Sequence, residues 1–362
     1  MRPLSVLAAF ALGCAQPAGE PLPLGASSES CGSCHEAHFE EHANSPHGAS
    51  AASPVFSAML PDVERAWGAA ARATCEGCHG PEHAEGDEGI GCVSCHAAVG
   101  NHAERDGMLA IDLDVPLAGP FGDARTIAHR SRTSGFLGSP RLCGTCHEVT
   151  RPALVDEPTL SEYLASPQAA EGRTCADCHM PPAGERALSN DADRTRPVRS
   201  HRFVGFDPPW SAPERALGSA AETRTLLAAA LALRVERTRN GVDVVVTNRG
   251  AGHAVPTGAT FLRDIWVDVE IDGVRHARVI TLGDRPMRGD RPVALLTQAD
   301  RGERASLDPG AERRVSLAAA PGARVVATLY GRAIRDEVLA ALGIEALAAE
   351  IPTHTIATAD AL

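Results

Sequence analysis

Cys31-Gly-Ser-Cys34-His35 opens a pattern that returns four times, at Cys75-Glu-Gly-Cys78-His79, Cys92-Val-Ser-Cys95-His96, Cys143-Gly-Thr-Cys146-His147 and Cys175-Ala-Asp-Cys178-His179. Ten of the eleven cysteines fall in these five frames, and only Cys14 stands apart. Each frame reads as a c-type haem attachment site. Two thiols separated by two residues reach both vinyl groups of one porphyrin and form thioethers. The histidine that follows then lies beneath the iron as its proximal ligand, so Cys31, Cys34 and His35 and their four counterparts would hold five haem c groups. Structural zinc sites also use C-x-x-C pairs, but zinc does not require His after every second Cys. His is 15 of 362 residues, so five such coincidences have odds of roughly one in ten million. A thioredoxin-like pair would not come five times outside a βαβ context, and the spacing is too regular for disulfides.

Composition agrees with this reading. Aromatic residues are only 4% of the chain, and five flat apolar macrocycles would replace part of the core they usually fill. Residues 31 to 200 should therefore lack enough apolar sequence to fold without haem. The formal net charge is −12, and all 34 basic residues are Arg. That balance excludes a nucleic-acid binder, which carries a basic footprint. No apolar run reaches the length of a membrane-spanning helix.

The chain begins with one positive charge, about ten apolar residues and then small residues before Cys14, the order of a secretory signal. Cys14 behind Ala11-Leu12-Gly13 resembles a lipoprotein cleavage box, which would make Cys14 the lipidated residue. The expected organisation is a lipoprotein-type signal over 1–13, a flexible tether over 14–30, a pentahaem region over 31–215 and a strand-rich domain over 222–362. The mature chain would be exported to the periplasm and anchored to the outer membrane by lipid alone.

Between the frames the sequence is broken by Gly and Pro, which predicts short helices and loops. Uneven spacing rules out a solenoid repeat. After residue 220 the texture changes. Leu231–Thr238 alternates, Asn240-Gly241 marks a turn, and a second run follows over 242–247. Further strands are expected over 261–271, 274–281, 313–317, 324–329 and 353–357, with Asp272-Gly273 as another hairpin turn, and one helix over 335–350 with Gly343 its weak point. The fold class is α+β: a haem-packed region of short helices, then a β-sandwich-like domain with one helix.

A low-spin carrier needs a second axial ligand on each iron. Ten histidines lie outside the frames. His38 and His42 share a helical face with His35 and could reach only another haem. His47 follows the break at Asn44-Ser-Pro46, and His129, His201 and His253 sit in loops away from any frame. The loop Gly252-His253-Ala-Val-Pro256-Thr-Gly258 is rigid enough to hold an imidazole in one orientation. His83 and His102 complete the set of candidates. His276 and His354 read as solvent-facing or structural. Arg130, Arg132, Arg199 and Arg202 are candidate partners for haem propionates.

The stretch from Cys31 through Ser45-Pro-His47-Gly48 resembles the opening motif of the cytochrome family that includes the tetrahaem electron acceptor of hydroxylamine oxidoreductase. The resemblance implies His47 as an iron ligand, although the family usually has Trp near the position of His42. Cys78-His79-Gly-Pro-x-His83, Cys178-His179-Met-Pro181, His201-Arg-Phe203 and the His253 loop look like elements of larger multihaem cytochromes with a β-rich C-terminal domain, which implies His201 and His253 as axial ligands.

The first functional expectation is an exported electron carrier that passes single electrons between redox-partner proteins, its acidic surface favouring partners with a basic docking patch. The alternative is a haem enzyme in which one five-coordinate iron acts on nitrite, hydroxylamine or nitric oxide. A third reading makes the β domain a docking module.

Overall fold

The computed structural model describes residues 27–81, 88–101, 108–124, 128–149, 155–208 and 213–361, without the side chains of 213–219. The expected signal, Cys14 and residues 14–26 of the expected tether lie outside these residues, as do His83 and His102; the last four tether positions, 27–30, are described and form the cap and first turn of the helix Ser28–Gly32, where the Ser27 hydroxyl takes up the Ser30 amide.

Every frame is one helical turn. Cys92–His96 and Cys175–His179 are five-residue helices, and the second frame ends the helix Ala69–His79. The first and fourth frames begin in the last two residues of the helices Ser28–Gly32 and Pro140–Gly144, with the histidine amide bonded back to the first Cys carbonyl at 2.9 Å for His35 and 3.0 Å for His147. A helical turn puts positions i and i+3 on one face, so both sulfurs of a frame project to the same side. Local chemistry starts these turns. The Ser27 hydroxyl accepts from the Ser30 amide, and Thr174 with Asp177 forms a capping box. Two longer helices depart from the expected short pieces. Pro54–Trp67 begins with Pro at its first turn, where the missing N–H costs nothing, and Pro213–Ala230 runs directly into the first strand of the C-terminal region. That second helix spans the boundary expected between 215 and 222, so the two regions are joined by a continuous element.

The C-terminal region is built on two main antiparallel sheets, with a third, smaller one of Arg291–Pro292, Arg285–Arg288 and Arg301–Glu303. One has the order Val274–Leu282, Asp264–Ile271, Val325–Arg332, Thr353–Ala361. The other is Glu312–Ala318, Gly241–Asn248, Leu231–Thr238. Val242, Val244 and Val246 from one sheet share a buried cluster with Ile265, Val267, Val269, Val325 and Leu329 from the other. Each such side chain contributes about 1.5–3 kcal/mol on burial. A second cluster joins Val55 of the first half to Leu295, Ile334 and Leu339.

Three expectations are corrected in detail. The first hairpin turns at Arg239-Asn240, not Asn240-Gly241, because Gly241 is already paired with Thr238. Glycine is required there because a Cβ would lie 2.0 Å from the Leu317 carbonyl of the adjacent strand. The strand expected from residue 261 starts at Asp264, after a 3-10 turn over Thr260–Leu262. The single helix expected over 335–350 is two pieces, Asp336–Ala341 and Glu345–Ala349, divided at Gly343 with φ +70°. The turn at Asp272-Gly273 has both φ positive, +49° and +83°, as a two-residue hairpin demands.

The first half holds little apolar core of its own. Apart from Val55, its buried cluster is Val93 and Ala97, with Ile111, Leu113 and Leu117 against them. It encloses a cavity instead.

Candidate haem-binding cavity

The cavity has a volume of about 2880 Å³ and is lined by all ten frame cysteines and all five frame histidines. One fifth of 2880 Å³ is about 580 Å³, within the range of about 300–1,000 Å³ usual for a small-molecule site. None of the ten cysteines is in a disulfide. Among the described residues no three His, Cys, Asp or Glu side chains converge on a metal-ion site.

Four of the five frame histidines are oriented through Nδ1. His35 faces the Leu188 carbonyl at 2.5 Å, His96 that of Ala118 at 2.6 Å, His179 that of Val204 at 2.6 Å and His79 that of Ser50 at 3.3 Å. An Nδ1–H donating to a carbonyl leaves Nε2 as the free lone pair, the arrangement of a metal-ligating imidazole.

Four frame histidines each face a second imidazole. The ring centres are 6.2 Å apart for His35 and His129, 6.4 Å for His96 and His201, 6.3 Å for His147 and His47, and 6.1 Å for His179 and His253. An imidazole nitrogen lies about 2 Å from its metal and about 1 Å from its own ring centre, so two axial imidazoles place their centres about 6 Å apart. His129, His201 and His253 also direct Nδ1 to a backbone carbonyl, that of Arg130, Arg199 and Ala254 respectively. The Nδ1 of His47 is buried without a partner. Burial chiefly, with neighbouring imidazoles adding to it, holds His47 down to about 3 and His147, His201 and His253 to about 4, so all four are neutral as ligation requires. The residues present fit five c-type haems, and at four of the frames a second imidazole stands where it would close the far face.

The second frame differs. The ring beside His79 is that of Phe56, stacked at 3.8 Å and 4° between planes. Among the described residues no second imidazole faces His79 as the other four are faced. His38 packs edge-on against His201 at 5.0 Å, and His42 bonds the Ile90 carbonyl through Nε2 at 2.7 Å. His276 is exposed, and His354 is buried against Phe206.

Side chains of ordinary type position the second imidazoles. Glu41 accepts from the His201 amide at 2.8 Å and from Arg186 at 2.7 Å; burial opposes its charge, but these two donors hold the carboxyl below its usual range. Glu162 accepts from the Ala254 amide at 3.0 Å and the Thr257 hydroxyl at 2.8 Å, which latches the His253 loop to the helix Thr159–Leu164. Neither residue carries a sequence signal. Of the four arginines expected near propionates, Arg132 and Arg199 line the cavity, and Arg130 and Arg202 do not. Arg199 is bound to Asp177 at 2.5 Å, and Arg130 to the Asp114 carbonyl.

Against solved structures, the chain matches a penta-heme cytochrome c552 from Thermochromatium tepidum with a TM-score of 0.67 and 18% identity, over 93% of this chain and 98% of that one. The two chains share a fold. At that coverage the match takes in both the cavity and the strand-rich region, so the α+β architecture is common to the matched 93% of the chain. No family model and no curated protein sequence matches the chain. Among the described residues no helix is long and apolar enough to cross a membrane.

Proposed function

We propose that this chain is an exported pentahaem c-type cytochrome that moves single electrons between redox-partner proteins. The observation that carries the reading is the set of four imidazole pairs spaced 6.1–6.4 Å apart across the cavity. Bound haem would supply the one-electron chemistry, while the protein sets spacing, orientation and potential. A pyridine haemochrome assay should give five haems per chain, and fewer would overturn the reading. Export and lipidation of Cys14 belong to the same proposal; labelling of a Cys14→Ser variant by palmitate would remove the anchor from it.

A second reading is favoured at one place. Among the described residues no imidazole is paired with His79 at the spacing of the other four, and this reading takes the second-frame iron as five-coordinate, accepting nitrite, hydroxylamine or nitric oxide. Carbon monoxide uptake by the reduced protein, at one equivalent per five haems, tests it. Closure of that iron by His83 or His102 would abolish uptake.

A further inference from the structure

Ser50 stands where three segments of the chain meet. Its hydroxyl lies 2.8 Å from the His47 carbonyl and 2.8 Å from the His79 carbonyl, and its oxygen accepts from the Ile90 amide at 3.2 Å. Its own carbonyl faces Nδ1 of His79 at 3.3 Å. Ser50 therefore meets His79 twice, at the backbone through Oγ and at the ring through its carbonyl. The same hydroxyl meets the backbone of His47, whose ring stands 6.3 Å from that of His147.

The other frame histidines show what is particular here. Nδ1 of His35, His96 and His179 faces the carbonyls of Leu188, Ala118 and Val204. Those residues have apolar side chains, which cannot carry the contact on to a second histidine. A serine hydroxyl has one proton and two lone pairs. In Ser50 the proton is shared between two carbonyls at equal distance, and a lone pair takes the Ile90 amide. The junction is also closely packed. The Ile90 amide reaches the His47 carbonyl at 3.0 Å, and the Gly89 amide reaches the Gly48 carbonyl at 3.2 Å. A Cβ on Gly89 would lie 2.2 Å from the Ser50 hydroxyl oxygen and 2.4 Å from the His47 carbonyl. Residues 89 and 90 thus lie directly against the turn from His47 to Ser50.

We propose that Ser50 is a positioning residue shared by two haems. It sets His79, the proximal ligand of the second frame, and His47, the distal ligand across from the fourth, so that ligation at one iron is coupled to ligation at the other. This rests on the reading of His47 as an axial ligand and is independent of how the second-frame iron is closed on its far side. The effect falls on the reduction potentials. An Nδ1–H bond to a carbonyl raises the basicity of an imidazole, and a more basic ligand favours the ferric iron. Without the hydroxyl, the Ser50 carbonyl is held less firmly against His79 and the His47 turn less firmly against Ile90. Both irons lose donor strength, and both potentials rise.

The experiment is a redox titration of the full haem-loaded protein, with the haems resolved by electron paramagnetic resonance at each potential. Ser50→Ala removes the hydroxyl, Ser50→Thr keeps it, and His47→Ala marks the fourth-frame haem as the one turned high-spin. In Ser50→Ala two of the five midpoint potentials should move to more positive values and three should stay at wild type. One of the two should belong to the haem marked by His47→Ala, and Ser50→Thr should return both toward wild type. A wild-type spectrum in His47→Ala would overturn the ligand reading and this proposal with it. Where His47→Ala does turn one haem high-spin, a Ser50→Ala protein in which no potential moves, one alone moves or all five move together would overturn the shared role and leave the ligand reading intact. A Ser50→Thr protein with the potentials of Ser50→Ala would overturn it equally, since the hydroxyl would then not be what holds the two histidines.

Discussion

Replacing Glu162 by Ala should release the His253 loop while leaving the sheets intact. The wild-type carboxylate accepts from the Ala254 amide at 3.0 Å and the Thr257 hydroxyl at 2.8 Å, and from Arg304 at 3.3 Å. Arg304 is 55% exposed, so that ion pair contributes about 0–1 kcal/mol. The other two are bonds to a charged acceptor, each about 1.5–3 kcal/mol. Ala254 is fully buried, so its amide loses its partner where water does not replace it. With some recovery at the Thr257 hydroxyl, the loop is weakened by about 3 kcal/mol, roughly a hundredfold in the population of its released state. Amide hydrogen exchange on the oxidised, haem-loaded protein reads this directly. Ala254 should exchange about a hundredfold faster, while Val244 to Val246 in the buried strand keep wild-type rates. Thr257→Val removes one of the two bonds and should show about a tenfold effect at the same amide. Unchanged exchange at Ala254, or equal acceleration of every amide, would refute the latch.

Other outcomes follow from the same geometry. His47→Ala, His129→Ala, His201→Ala and His253→Ala should each convert one haem to high-spin in electron paramagnetic resonance; a variant with a wild-type spectrum removes that residue from the ligand set. Glu41 has its folded-state pKa depressed by the His201 amide and Arg186, net of an opposing burial effect. Its stabilisation is therefore present above the ordinary Glu value and lost as pH falls through the lower folded value, so the His201-linked low-spin signal should weaken in that acid window and be less pH-sensitive in Glu41→Gln. Gly241→Ala places a Cβ 2.0 Å from the Leu317 carbonyl and should cost about 1–3 kcal/mol, seen as a lower melting temperature.

The attachment chemistry was legible because five frames repeat one spacing, and the hairpins because alternation and turn residues are local signals. Four of the six candidate second imidazoles, His47, His129, His201 and His253, are brought to frame histidines, while His83 and His102 lie outside the described residues. The pairing itself was not legible. His47 meets His147 across 100 positions of chain, and no periodicity encodes that contact. Nor could the sequence mark Phe56, Glu41 or Glu162, which are common residue types given meaning only by where the cavity wall places them. The shift of the first hairpin has a similar cause. Gly241 was read as a turn residue for its backbone freedom, whereas the fold uses its lack of a side chain against the Leu317 carbonyl.

Near-infrared magnetic circular dichroism of the oxidised, haem-loaded protein counts axial ligand pairs and tests the arrangement of the cavity most directly. At least four of the five haems should carry the bis-imidazole signature. Fewer than four bis-imidazole haems would contradict the account.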